Sequence, residues 1–325
     1  MALTSSLARL AGRVLGAAAL LAASLSAGAA DPFPAKEIRF IVPWNAGGSN
    51  DISARALAQI AAEDGIKVVV ENVPGATGAI GLTKVANAEP DGYTIGMGTS
   101  STLALIAQGL TPLRNEQFAP IARVTTDPLI LLVPAGSPHK TLESFLAHVK
   151  ANPGKVSVGI PGTNNLNHIF AVMTGRAAGV ETLAVPYTGG SKVMADLAGK
   201  QIEAGVLKPS ESKSQIDGGL VRPIAVFGNE RIKSLPDVPT FKEQGLDVEF
   251  YLWVGLFAPK GTPDAIVQKL RVDARTAAND EKFKTAMKNV GDVHAYLDGP
   301  EFQKFWDQDA KRVEEAVATI GKIQS

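Results

Sequence analysis

The sequence predicts an α/β protein built from two sheets, each mostly parallel and flanked by helices. Three observations carry that prediction. Short apolar runs of strand length alternate with longer helix-like segments over nearly the whole chain, the pattern of strand–helix–strand units. Nine such runs beyond residue 30 suit two sheets better than one. Finally, "TTDPLILLVPAGSP" (125–138) and "VEFYLWVGLFAPKGTP" (248–263) set apolar strand material between prolines. They read as two chain crossings, so residues 31–128 and 254–325 should build one lobe and 129–253 the other.

The elements follow in chain order. Residues 1–30 carry Arg9 and Arg13, an apolar stretch from 14 to 25, and a small-residue run ending at Ala30. That order is a cleavable export signal, cut after Ala29 or Ala30; its apolar part is shorter than the roughly 20 residues a spanning helix needs. Strand candidates are "IRFIVP", "KVVVEN", "YTIGMG", "LILLVP", "VSVGI", "TLAVPY", "IEAGVL", "RPIAVF" and "YLWVGLFAP". Between them lie the helical "NDISARALAQIAA", "AIGLTKVANA", "TLESFLAHVKA", "NHIFAVMTGRAAG", "SKVMADLAG" and "SESKSQID". In the first helix Ile52, Ala56 and Ile60 recur every fourth residue beside Leu57 and Ala61, which predicts one buried face. From Thr262 the chain reads as three helices, with Thr262 as N-cap and Pro263 at the first helical position.

Composition narrows the function classes. The chain holds 32 Lys plus Arg against 32 Asp plus Glu, and the predicted signal removes two arginines and no acid. Such a balance offers no basic footprint for nucleic acid or for a membrane surface. There is no cysteine, hence no disulfide and no lipid-anchoring cysteine after the signal. The expectation is a freely diffusing, monomeric exported protein without cofactor or metal.

Four strand-to-helix junctions share a character: "PWNAGGSND" (43–51), "GMGTSST" (96–102), "GIPGTNNLNH" (159–168) and "PYTGGS" (186–191). Each puts glycine and short hydroxyl or amide side chains where a helix begins. Helix starts expose unpaired N–H groups and about half a positive charge. Glycine lets a ligand approach that backbone, so the chemistry favours a carboxylate or a phosphate. Any one junction could be an ordinary cap. Four together point to a ligand, because open α/β sheets bind at the carboxyl ends of their strands.

Other signals are weaker. Gly75, Gly78 and Gly81 in "NVPGATGAIG" fit neither the dinucleotide fingerprint nor a phosphate-binding loop, and tight packing explains them. No Gly-x-Ser-x-Gly or His-Glu-x-x-His motif is present. Of the four histidines only His168 sits at a junction; His148 falls on an amphipathic helix, His294 in a polar strand and His139 in a loop. Asp51 could cap or brace its loop or touch ligand. Lys208 ends a strand and is either a solvated surface residue or the partner of a second ligand carboxylate. Trp44 and Tyr187 could pack in the core or wall a pocket.

The stretches "FPAKEIRFIVPWNAGGSNDISAR", "VVVENVPGATGAIG", "EPDGYTIGMGTS", "ANPGKVSVGIPGT", "VPYTGG", "LPDVPTFKEQG" and "GLFAPKGTP" together resemble the Bug-type extracytoplasmic solute receptors. These are the binding proteins of tripartite tricarboxylate transporters, and the resemblance spans residues 33–321. It implies a two-lobed periplasmic binding protein of type II-like architecture, with a ligand cleft between lobes that close on a small carboxylate. Carried onto this chain, the contacts would come from Trp44, Asn45, Ala46, Gly47, Gly48, Thr99, Ser100 and Ser101 of one lobe. Gly162, Thr163, Asn164, His168, Tyr187 and Thr188 would face them from the other. The sequence departs from the family at Trp44-Asn45, where Phe-Pro is commonest, at Thr188, where lysine is frequent, and at Lys208, where a small polar residue is usual.

Capture without chemistry is the leading expectation, with membrane transporter subunits as partners. Two alternatives stand beside it. One is a secreted α/β hydrolase using Ser100 or Ser101 with His168 as base. The other is a ligand-sensing subunit of a membrane kinase, which uses the same binding physics.

Overall fold

The computed structural model describes residues 33–320 apart from 229, 247, 249 and 250; the predicted export signal lies outside the described residues. Residues Lys36–Ser325 form one unit. The chain first lays down β1 (Ile38–Val42), α1 (Ser49–Glu63), β2 (Val68–Asn72), α2 (Ala79–Ala86), β3 (Thr94–Thr99), α3 (Ser100–Ala107) and β4 (Phe118–Asp127). It continues through β5 (Leu129–Pro134), α4 (Leu142–Ala151), β6 (Ser157–Ile160), α5 (Leu166–Ala177), β7 (Leu183–Pro186), α6 (Gly190–Ala198), β8 (Ala204–Leu207), α7 (Pro209–Asp217) and β9 (Val221–Phe227). It ends with β10 (Leu252–Pro259), α8 (Asp264–Asn279), α9 (Glu281–Val290), β11 (His294–Asp298) and α10 (Gly299–Ile320). No described helix is long and apolar enough to cross a membrane.

The strands form a six-stranded sheet in the order β11-β4-β10-β3-β1-β2 and a five-stranded sheet in the order β7-β6-β8-β5-β9. Only Pro128 separates β4 of the first from β5 of the second. Both sheets are mixed, for a topological reason. β10 enters the first sheet from the far side and runs antiparallel to β3 and β4. β5 does the same between β8 and β9. The strands that precede helices stay parallel: β1 with β2 and β3, and β6 with β7 and β8. All of these therefore deliver their carboxyl ends to one edge of their sheet.

One hydrophobic cluster runs through both sheet halves. It includes Leu103 and Leu105 of α3, Ile169 and Phe170 of α5, and Val313, Ala316 and Val317 of α10. The long terminal helix packs on α3, on β4 and on α5, tying the halves together behind the strand ends. Trp253, at the start of β10, meets Phe302 of α10 edge-on at 5.4 Å, and its indole N–H donates to the buried Asp309 at 2.6 Å.

Three sequence expectations change. β4, "FAPIARVTTD", lies between β10 and β11, although Pro120 and Arg123 break up its apolar pattern. A register shift between Leu256 and Phe257 of β10 stands beside Pro120, the kind of irregularity where a sheet tolerates a proline. On α1 the buried positions are Asp51, Ser53, Ala54, Leu57 and Ile60, so Ile52 and Ala56 flank the buried face and do not centre it. Finally, Thr262 does not cap α8. The helix starts after Pro263, and the Thr262 hydroxyl donates to the Pro259 carbonyl at 2.8 Å.

Candidate functional site

The first junction links β1 to α1. No side chain caps α1 at Gly48, so the N–H groups of its first turn remain available as donors. Residues 45–48 are exposed and Trp44 is half-buried. Gly47 holds φ at +83°, a conformation that favours glycine. A side chain at Gly78 would stand 3.2 Å from the Trp44 ring, and one at Gly81 would collide with Pro43. The glycines of "NVPGATGAIG" thus let α2 press against this loop.

Asp51 is the brace of the loop. Only 3% exposed, it accepts the Gly47 N–H at 2.9 Å, Arg55 Nε at 3.0 Å and Asn72 Nδ2 at 2.9 Å. The Asn72 amide also donates to the Trp44 carbonyl at 3.0 Å. Burial works to raise the Asp51 pKa, but the bonds from Arg55, Gly47 and Asn72 outweigh it and hold the carboxyl below its ordinary value. Both oxygens are engaged within the loop, so Asp51 serves as its brace. Nothing local in the sequence marks Asn72 as a partner of this loop. It ends β2 opposite Val42 in parallel register, and that pairing is the signal that could have found it.

The second junction is enclosed. Thr99 ends β3, Ser100 and Ser101 begin α3, and all three are buried. Ser100, with no exposed surface, accepts the Trp253 backbone N–H on its Oγ at 3.3 Å. It serves the neighbouring strand, and among the described residues no bond joins it to His168.

On the five-stranded sheet, "GIPGTNNLNH" turns from β6 into α5. Gly162 (φ +126°) and Asn164 (φ +56°) both adopt positive φ, and residues 162–164 are half-buried. Asn165 caps α5 by accepting the His168 N–H at 3.0 Å. The Asn164 N–H donates to His168 Nδ1 at 3.2 Å, which assigns the ring proton to Nε2. Burial lowers the His168 pKa, so the imidazole is a neutral donor near pH 7. Gln108, which ends α3 on the other sheet half, donates from Nε2 to the Asn164 carbonyl at 3.0 Å.

The last two positions behave differently. Thr188 is exposed, whereas Tyr187 packs against the core and donates its hydroxyl to Asp196 at 2.8 Å. Burial, then Asp196, pushes the phenol up to about 12. Lys208 is not a solvated surface residue: it is 8% exposed, and Nζ lies 2.9 Å from Asp127 and 3.6 Å from Asp292. Burial alone would lower its pKa, but the two carboxylates overcome that and hold it raised. Both acids sit on the six-stranded half and claim the amine, so Lys208 is a buried ion-pair partner across the two sheets. Among the described residues no cluster of histidines and carboxylates could hold a metal ion.

These positions share one geometry: they follow the carboxyl ends of parallel strands in both sheets. Residues 53–322 match the family described as tripartite tricarboxylate transporter family receptor. A UPF0065 protein of Bordetella pertussis is 33% identical over 86% of this chain and 87% of its own length. A TctC solute-binding protein from Polaromonas superposes with TM-score 0.78 at 31% identity, covering 88% of this chain and 99% of that one. MatC from Rhodopseudomonas palustris, with bound malate, gives TM-score 0.75 at 28% identity over 88% of this chain and 100% of its own. Rpa4515 of R. palustris, with adipate, gives 0.79 at 25% identity over 89% and 98%. The chain belongs to the tripartite tricarboxylate transporter receptor family and is a solute-binding protein, not an enzyme.

Proposed function

We propose that this receptor captures a small organic carboxylate between its two sheet halves, leaves it unchanged, and hands it to the membrane subunits of a tripartite transporter. The halves act as lobes, residues 31–128 with 254–325 against 129–253, in an exported, periplasmic protein. One observation carries the reading. The strand-to-helix junctions present uncapped helix starts at α1 and α6 together with the Nε2–H of a neutral His168, while Lys208 is held elsewhere by its own acids. Unpaired N–H groups at helix starts suit an anion with planar oxygens. Four or five charge-assisted bonds of about 1.5–3 kcal/mol each leave room for micromolar affinity after ordering costs. The malate and adipate bound by structural neighbours belong to the same chemical class.

Thermal unfolding of ligand-stripped protein tests the reading. Malate, adipate and a wider panel of mono-, di- and tricarboxylates should include compounds that raise Tm, with sugars and amines silent. A rise with sugars or amines and none with any acid would overturn it.

A further inference from the structure

We infer that Gln108 is a positioning residue of the binding site: from one sheet half it fixes the loop and the imidazole tautomer that the other half offers to ligand. The inference rests on the carboxylate-binding reading for its functional consequence, but not for its structural content. α3 has both ends at the site. Its first residues follow β3 at the strand edge, and Gln108 terminates it eight residues later. Gln108 is 4% exposed. Its Nε2 donates both to the Ala104 carbonyl of its own helix at 2.9 Å and to the Asn164 carbonyl at 3.0 Å. An amide has two N–H donors, so both protons are accounted for and the geometry is fully specified.

Asn164 is where such a contact has leverage. Its backbone sits at φ +56°, a left-handed conformation that asparagine adopts more readily than most L-residues and that neighbouring contacts fix here. Here the residue is gripped on both sides, its carbonyl by Gln108 and its N–H by His168 Nδ1. With Nδ1 occupied as acceptor, the ring proton stays on Nε2. Releasing the carbonyl frees the loop to rotate, the N–H leaves Nδ1, and the tautomer is no longer fixed. A bond that crosses between the halves also exists only in this relative arrangement of the two. The orientation of a donor on the five-stranded half is therefore coupled to how the six-stranded half is seated, which is a physical route to preorganisation.

The test uses the full exported chain with 15N-labelled histidine, comparing wild type with Gln108→Ala and with Gln108→Met, which keeps the volume and removes the donor. Nitrogen spectra report the tautomer of His168, assigned by a His168→Gln control. Wild type should show Nε2 protonated and Nδ1 bare; both variants should show a mixture of tautomers. Adipate and malate titrations should show whichever acid binds wild type losing about tenfold in affinity in both variants, chiefly through faster release. An unchanged His168 tautomer in a folded Gln108→Met protein overturns the inference, as does unchanged release of a bound acid. If wild type binds no carboxylate at all, the proposed function fails, while the tautomer measurement still decides the role of Gln108.

Discussion

Two strand-to-helix turns of this molecule, after β1 and after β8, behave oppositely. The turn after β1 leaves residues 45–48 exposed and α1 without a side-chain cap. The turn after β8 is closed: Pro209 opens α7, Glu211 accepts the Lys208 N–H at 3.1 Å, and the Lys208 amine is buried against Asp127 and Asp292. Lysine is the obvious residue to assign to a carboxylate ligand, yet here its charge joins the two sheet halves. The first turn carries no free formal charge and keeps its donors open. Availability, more than charge, separates a binding loop from a structural one.

The largest effect should come from the closed turn. Lys208→Met leaves two carboxylates, each almost without exposed surface, facing each other. Losing one partner of a buried ion pair costs about 3–5 kcal/mol, read as a shift of the urea midpoint. Adding Asp127→Asn and Asp292→Asn to Lys208→Met should restore most of that loss. Failure of the triple variant to recover would mean that Lys208 matters for some other reason.

Breaking the brace of the open turn comes next. Asp51→Ala strands the Gly47 and Asn72 donors and should cost about 1–3 kcal/mol, with carboxylate affinity falling about tenfold by calorimetry. If affinity holds while stability drops, the loop does not need Asp51 to present its amides. A finer contrast lies between neighbouring glycines. Gly47→Ala meets no atom within 4 Å but must keep φ at +83°, costing about 1 kcal/mol. Gly48, at φ −79°, should accept alanine with less than half that loss. Equal costs at both positions would remove backbone conformation as the reason for this pair.

A pH dependence separates the two turns in a different way. Burial, with Asp292 adding to it and Lys208 opposing, pushes the Asp127 carboxyl up to about 6. The folded chain therefore binds a proton that the unfolded chain, with a carboxyl near 3.9, has already released. Stability from this group declines as pH rises from about 4 to about 6 and is level above. Asp51 has the opposite sign: its lowered pKa contributes stability above the unfolded value that is lost as pH falls. The stability of Asp127→Asn relative to wild type should thus increase between pH 4.5 and pH 7. A flat difference would show that Asp127 does not titrate in this window.

The strand and helix alternation, the four junctions and the family were all legible in the sequence. β4 was not, because Pro120 and Arg123 interrupt its apolar pattern and its place depends on pairing with β10 and β11. The orientation of α1 is not legible because its spacing allows two neighbouring faces and only packing on the sheet chooses between them. The fates of Asp51 and Lys208 were hidden for one reason. Their partners Asn72, Asp127 and Asp292 lie 21, 81 and 84 positions away, and nothing local announces them. Gln108 was invisible on the same ground, since a glutamine closing a short helix has no distinctive pattern until the facing loop arrives beside it.

If open helix-start amides hold the anion without help from a lysine, their own signals must report it. Amide proton and nitrogen shifts of 15N-labelled protein, titrated with a carboxylate that raises Tm, test it most directly. Large downfield changes are expected at the amides of residues 49–51 and 190–192, at the two uncapped helix starts, with the Lys208 ammonium unmoved. Unmoved amides in both loops, with a displaced Lys208 signal at saturation, would contradict it.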